Sequence, residues 1–163
     1  MSENNSAETN QYLTFTLAGE LFALDIAAVR EVLDNAVITR IPRTVAFLRG
    51  IINLRGNAVT VVDLRVKFGL GRTEMTENTC IIIVEVVIDG ESVVLGAMAD
   101  SVHEVYDIAP AGIEPAPSMG TVVEPGYIKG MAKHNDSFIV IINTEKLFSL
   151  EELSAVPGMG RAA

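Results

Sequence analysis

Apolar residues recur along the chain in runs of about five to nine positions, rich in Val, Ile, Phe and Thr and bounded by Gly, Asn and Asp. That pattern is the signature of β-strands. Three hairpins are predicted: "INLRGNAVTVV" turning at Gly56-Asn57, "VEVVIDGESVVLGAM" at Asp89-Gly90, and "IKGMAKHNDSFIVII" at Asn135-Asp136. Each pair tolerates positive φ. Helical signals are short. "TVAFLRG" reads as one or two turns ended by Gly50, Asp63 caps "LRVKFG", and Asn143 caps "TEKLF". The short polar side chains at 63 and 143 suit orphan amides of a first turn. Ser149 and Glu152 have capping-box spacing and extend the C-terminal helix. An antiparallel all-β core with short connecting helices follows.

The chain also resembles itself. Arg49–Phe68 aligns without a gap on Lys129–Phe148: basic residue and Gly, strand, turn, β-branched strand, Asp or Asn cap, and a short helix closing on Phe. Upstream, "VREVLD" (29–34) matches "VHEVYD" (102–107) in a similar order. Only two residues in twenty are identical in the longer pair, so convergent strand-turn-helix patterning stands as the alternative. The reading is two related small barrels: a tail over 1–11, a first barrel over 12–78, a second over 79–153 with its C-terminal helix, and a loose tail over 154–163. The polar, Gly-rich stretch 69–78 marks the boundary. Barrels of this size have thin cores and need to bury apolar surface against one another.

Composition narrows the function. The chain has 163 residues, 49% hydrophobic and 20% charged, enough to fold around a sizeable core. Its net charge of -9 repels a phosphate backbone, so nucleic acid is not an expected partner. No apolar run reaches the ~18 residues of a membrane span, and "MSENNSAETNQ" lacks the features of a signal peptide. A cytoplasmic protein with no direct membrane insertion is expected. Cys80, the single cysteine, opens "CIIIVEVVI" and reads as a small buried hydrophobe. His103 and His134 stand far apart without paired cysteines, so neither a metal nor another cofactor is implied.

Catalytic patterns are equally sparse. "GLGR" has too few glycines for a phosphate loop and is not followed by Lys-Ser or Lys-Thr. Asp100, His103, Glu104 and Asp107 are the one enzyme alternative, a histidine base oriented by a carboxylate. Strand alternation splits them, with 100 and 104 on one face and 103 and 107 on the other. A solvated strand face is the simpler reading.

More distinctive is "FLRGIINLRGNAVTVVDLRVKFG", where Arg49, Arg55 and Arg65 stand among apolar residues of an acidic protein. They are solvated edges, anion ligands or the polar part of a docking surface. Glu31 and Arg55 both lie in strand-like apolar surroundings, where an isolated charge is costly. A bidentate contact between them would hold a surface in one geometry. Val29, Val32, Val102 and Val105 occupy corresponding places in the two halves. An apolar groove lined by such valines and rimmed by Glu31 and Arg55 suits an amphipathic helix.

The same stretch, preceded by "FALDIAAVREV" and followed by "IINTEKLF", closely resembles the CheW family of chemotaxis coupling proteins from about Tyr12 to Leu153. The Arg-Gly, Asn-Leu-Arg-Gly and Val-Asp-Leu-Arg series is specific to the CheW-like domain, which also occurs in the CheA kinase and in CheV. The resemblance implies two five-stranded, SH3-like β-barrels packed against each other, the first short strand able to pair with the second barrel. It implies no catalysis and a bridging role, linking the cytoplasmic tip of methyl-accepting chemoreceptors to the regulatory domain of the CheA histidine kinase. A chain of 163 residues has no room for a phosphotransfer bundle, an ATP-binding domain or a receiver domain, so a stand-alone adaptor in membrane-associated receptor arrays is expected. An adaptor of a non-flagellar chemosensory pathway is the alternative. Carried residue by residue, the receptor groove uses Val29, Glu31, Val32, Val102 and Val105, with Gly50 and Arg55 shaping or contacting it. Arg49 and Arg65 read as solvated supports, and Ile38 and Ile41 are the kinase-contact candidates. "LDNAVITRIPRTV" departs from the family by placing Arg43 and Thr44 where a proline-bearing turn is common.

Overall fold

The computed structural model of the chain describes residues 10–42, 45–88, 90–115 and 125–147. The described strands are β1 (Asn10–Leu17), β2 (Glu20–Asp25), β3 (Val29–Asp34), β4 (Leu48–Leu54), β5 (Asn57–Asp63), β6 (Cys80–Ile88), β7 (Glu91–Ala99), β8 (Ser101–Ile108), β9 (Ile113–Glu114), β10 (Ile128–His134) and β11 (Ser137–Ile142). Two single-turn helices, α1 (Leu64–Lys67) and α2 (Thr144–Leu147), follow β5 and β11. One sheet runs β3-β6-β7-β5-β4 and the other β8-β1-β2-β11-β10-β9. The first is a five-stranded barrel and the second a six-stranded one, its sixth strand the two-residue β9, and in each the chain leaving the first edge strand draws the seam together. Thr39 bridges to Ile51 of β4 in one, and β9 pairs with β10 in the other.

The internal repeat holds position for position. The gapless alignment puts β4 on β10, β5 on β11 and α1 on α2, and both hairpins carry a register shift at the same place, Leu48/Gly50 and Ile128/Gly130. Both glycines sit where a Cβ would strike the seam-closing chain: the Thr39 carbonyl at Gly50, and Ile113 with the Glu114 carbonyl at Gly130. Asp63 and Asn143 cap their helices, their Oδ1 atoms accepting from Arg65 N at 3.1 Å and Glu145 N at 3.2 Å.

Sheet membership does not follow chain order. Hairpin β1-β2 lies in the sheet of β8–β11, and hairpin β6-β7 lies in the sheet of β3–β5. The boundary at 78/79 divides the chain but not the sheets, because each half lends its leading hairpin to the other barrel. Strand alternation explains what this achieves. In β6, Ile81 and Ile83 point into the first barrel, while Ile82, Val84, Val86 and Ile88 join a layer shared with Leu13, Phe15, Leu17, Phe22 and Leu24 of β1 and β2. With both faces covered, the run "CIIIVEVVI" has no polar alternation. Phe15, Phe22 and Phe68 stack in a row through the layer, with centroids 6.2 and 5.5 Å apart, and Tyr127 extends it at 5.9 Å. Tyr12, Ala23, Ala132, Ile139 and Ile141 fill the second barrel.

Some local expectations fail. "TVAFLRG" forms no helix: Ala46 and Phe47 make a turn and β4 begins at Leu48. Leu48 pairs with Val62, and the Phe47 carbonyl accepts from Asp63 N at 2.6 Å, so an available β5 ladder outcompetes a short helix of little intrinsic stability. Gly50 lies within that strand rather than at a helix end. The first of the three expected hairpins, β4-β5, turns at Arg55-Gly56, one residue earlier than expected, because Asn57 already pairs with Leu54. A fourth hairpin, β1-β2, turns at Ala18-Gly19 without the expected Asn or Asp. The turn at Asn135-Asp136 is as expected, and β6 and β7 flank the turn assigned to Asp89-Gly90, of which Asp89 lies outside the described residues. Arg43, Thr44, the Ser149/Glu152 capping box and most of both tails also lie outside them.

Ile82 belongs to the first sheet but packs in the shared layer, so Ile82→Ala should remove about 2–5 kcal/mol of stability in urea unfolding. The transition should remain single, and amide exchange should quicken in β10-β11 as much as in β4-β5. Quickening confined to β3–β7 would show that the barrels unfold separately.

Candidate functional site

The three arginines of the central hairpin have three different environments. Arg49 is partly buried, and its Nη1 donates to Asp63 Oδ2 at 2.9 Å and to the Thr73 carbonyl at 2.8 Å. Asp63, fully buried, also accepts from Thr73 N at 2.9 Å and Thr73 Oγ1 at 2.7 Å, so its charge is paired and hydrogen-bonded. Arg65 donates to the Leu70 carbonyl and pairs with Asp100 at 3.3 Å. Asp100 in turn accepts from Ala18 N at 2.8 Å, tying α1 to the β1-β2 turn. Arg49 and Arg65 are therefore partly buried structural ties, not solvated supports. The sequence hid this because their partners, Thr73 and Asp100, are distant in the chain and on connecting segments.

Arg55 is the exposed one, at 69% of its side-chain surface, and it meets Glu31 through two parallel bonds: Nη1 to Oε2 at 2.7 Å and Nη2 to Oε1 at 2.8 Å. The fork-to-fork geometry fixes both groups more tightly than a point contact. β3 and β4 are the two edges of the first sheet, so the pair spans that barrel's seam. Arg55 occupies positive φ (52°), followed by Gly56 at 90°, and Asn53 Oδ1 accepts from Gly56 N at 2.8 Å to hold the turn. The hydrogen bonds from Arg55, with its charge, hold the Glu31 carboxyl below the ordinary glutamate range against a small opposing desolvation, and raise the guanidinium in return.

The four valines fall into place through two β-bulges. Val29 and Val32, three apart, stand opposite Val84 and Ile82, two apart; Val102 and Val105 stand opposite Phe15 and Leu13 in the same way. The partners belong to the shared layer, so each bulge turns both valines of its pair toward that layer's side. Val29 and Val102 pack against the layer, while Val32 and Val105 remain 40% and 44% exposed. Glu31 stands opposite Ile83, on the barrel-interior side of β3, so the ion pair and the valines occupy different faces of one strand. Gly50 is buried at the seam and lends the site backbone clearance rather than a contact surface. Ile38 packs against the first barrel's interior, and Ile41 lines a cavity beside Arg40 and Arg72. Val37, 84% exposed and next to Ile38 in the chain, is an apolar surface residue that strand periodicity gave no reason to single out.

The enzyme alternative finds no assembled group. His103 Nε2 meets Thr16 Oγ1 at 2.6 Å and Ser101 Oγ at 3.1 Å, Glu104 accepts from the Tyr106 hydroxyl at 3.2 Å, and Asp100 serves Ala18 and Arg65. Cys80 is only half buried. Desolvation, then the nearby Asp34 charge, push its thiol pKa up, away from reactivity. Among the described residues no three His, Cys, Asp or Glu side chains are placed to hold a metal ion, and no helix is long and apolar enough to cross a membrane.

Comparison with known proteins gives a consistent picture. A family model described as the CheW-like domain matches residues 11–152. The chain is 33% identical over 152 residues to the chemotaxis protein CheW of Klebsiella aerogenes, spanning 93% of this chain and 89% of that protein. It is 26% identical to the CheW of Treponema pallidum over the same shares. Among solved structures, the scaffolding protein TtCheW from Thermoanaerobacter tengcongensis superposes with a TM-score of 0.76 at 40% identity, covering 88% of this chain and 90% of that one.

The Glu31 side-chain carboxyl should titrate below the ordinary glutamate pKa of ~4.3 when followed by carbon NMR, and return to it in Arg55→Gln. A lowered pKa means that the pair's contribution is present above the ordinary value and fades as pH falls through the folded-state value. An unshifted Glu31 in the wild-type chain would mean that the pair is open in solution.

Proposed function

The chain belongs to the CheW-like domain family, and from that premise we propose that it is a non-enzymatic adaptor that couples methyl-accepting chemoreceptors to the histidine kinase CheA. The observation that carries this reading is the bidentate Glu31–Arg55 pair, held on a hairpin turn and across a barrel seam, with the exposed valines Val32 and Val105 on the bulged edge strands. A receptor tip is a helical hairpin, and a rigid polar anchor on one face of β3 with the exposed Val32 on the other offers the polar and apolar contacts that an amphipathic helix needs. Val29 and Val102 support the surface from beneath, Arg55 contacts the receptor, and Glu31 orients it. The kinase's own CheW-like domain is the second partner, with Ile41 the better placed of the two candidates and Ile38 acting through packing. On this reading the protein works in the cytoplasm and reaches the membrane only through the receptors.

A fixed arginine at a docking rim sets specificity and affinity without any chemistry of its own. Arg55→Glu should keep the wild-type melting temperature and weaken receptor binding about tenfold, ~1.4 kcal/mol, abolishing receptor control of CheA autophosphorylation. The double reversal Glu31→Arg/Arg55→Glu restores an ion pair but should still bind weakly, since the receptor then meets a carboxylate. Full receptor control with either variant would remove Arg55 from the contact.

A further inference from the structure

A cavity of about 410 Å³ opens beside the chain between β3 and β4 and the loop that follows α1. Ile41, Val45 and Leu48 give it an apolar lining, and Arg40, Arg49 and Arg72 stand around it. No carboxylate is among the described residues that line it. In a chain with 21 acidic and 12 basic side chains and a net charge of -9, this reverses the average character of the surface. The three arginines differ in state. Arg49 is neutralised by Asp63 and held in the wall by its bonds to Asp63 and Thr73. Arg40 and Arg72 are exposed and make no ion pair with any described residue. Two free guanidiniums over an apolar floor present forks for carboxylates and a recess for a hydrocarbon side chain.

We infer that this cavity docks a short acidic segment of a protein partner, in which an apolar side chain enters between Ile41, Val45 and Leu48 while flanking carboxylates take Arg40 and Arg72. The charge argument selects a short segment. Within the Debye length of ~8 Å the local arginines dominate, whereas a long polyanion such as nucleic acid meets the whole acidic surface. The lining residues named also include no aromatic ring on which a base would stack. The inference stands on the cavity's own shape and charge and does not depend on the receptor contact, because Glu31, Arg55 and the four valines lie outside its lining; Ile41, the kinase-contact candidate, lies within it.

The test is a titration of nitrogen-labelled full-length protein with the peptide Ac-Glu-Glu-Leu-Glu-Glu-NH2, followed by amide shifts. Saturable shifts are expected at Ala46 and Leu48, weakened at least tenfold in Arg40→Gln/Arg72→Gln and partly recovered in Arg40→Lys/Arg72→Lys, which keeps the charges but loses the forks. Both arginines are exposed, so each variant should retain the wild-type spectrum elsewhere. The lysine analogue Ac-Lys-Lys-Leu-Lys-Lys-NH2 should leave Ala46 and Leu48 unmoved. Equal binding of the lysine peptide, full binding by the glutamine variant, or no saturable shift would overturn the inference. It would also fail if sodium acetate alone reproduced the shifts, which means simple anion binding, or if the only effect of the glutamine variant were to abolish self-association in sedimentation, which means that a second copy of the chain is the occupant.

Discussion

Ile82, Val84 and Val86 of β6 pack in one apolar layer with Leu13, Phe15 and Leu17 of β1, although the two strands belong to different barrels and lie some seventy residues apart. Neither barrel has a generous interior: among the described residues six buried side chains form the inner cluster of the first and five that of the second, against eighteen in the layer between them. A small barrel buries too little surface to be independently stable, so the layer supplies what each lacks. Exchange of the leading hairpins makes the dependence topological as well as energetic. Removing either half of the chain would take two strands from the other half's barrel, not merely uncover its flank.

Given that frame, the interesting places are those where the two repeats stop being alike. The first barrel has a seam between its edge strands β3 and β4, and the corresponding place in the second lies between β8 and β10, where β9 is added outside β10 as the terminal strand. In the second barrel the seam is closed by a ring contact, Tyr106 against His134 with centroids 4.3 Å apart. The repeat alignment places Leu33 and Leu54 there in the first barrel, both packed on its inner cluster. Glu31 aligns with Glu104, but Arg55 aligns with Asn135, so only the first barrel acquires a bidentate ion pair at its seam. A duplicated scaffold thus carries a polar anchor on one side only. That asymmetry would give the partner proposed above a single orientation on a duplicated scaffold.

Much of this was legible in the chain itself. The strands, the caps at Asp63 and Asn143 and the repeat rest on local pattern, and the expected Glu31–Arg55 contact rests on two opposite charges set in apolar strand-like surroundings. What was not legible depended on pairing across distance. Nothing in "TVAFLRG" says that β5 will offer Leu48 a ladder partner, and nothing near Arg49 announces Thr73. The bulges are the clearest case. Simple alternation puts Val29 and Val32 on opposite faces, and only the register against Val84 and Ile82 shows that an extra residue returns them to one side. The exchange of whole hairpins was hidden for the same reason, the resemblance implying it for the first strand alone, since a hairpin's own sequence does not say which barrel receives it.

Arg55 itself shows how such a site is held. Its φ of 52° is one that a non-glycine residue rarely adopts, and at a two-residue hairpin turn Asn or Gly would be less strained. Asn is in fact what the second repeat has, with Asn135 at 55° in the corresponding turn. The arginine keeps this conformation against its own preference because three constraints converge: the β4-β5 ladder closes on Leu54 and Asn57, Asn53 accepts from Gly56 N, and Glu31 accepts both guanidinium bonds. A strained backbone that its surroundings over-determine points to a use for the side chain rather than for the turn. Stability alone would be served by Asn at position 55, since an ion pair this exposed contributes little to folding. The balance therefore favours reading Arg55 as a group positioned for something outside the fold. The same reasoning gives no such reading for Arg49 and Arg65, whose hydrogen bonds are accounted for within the fold.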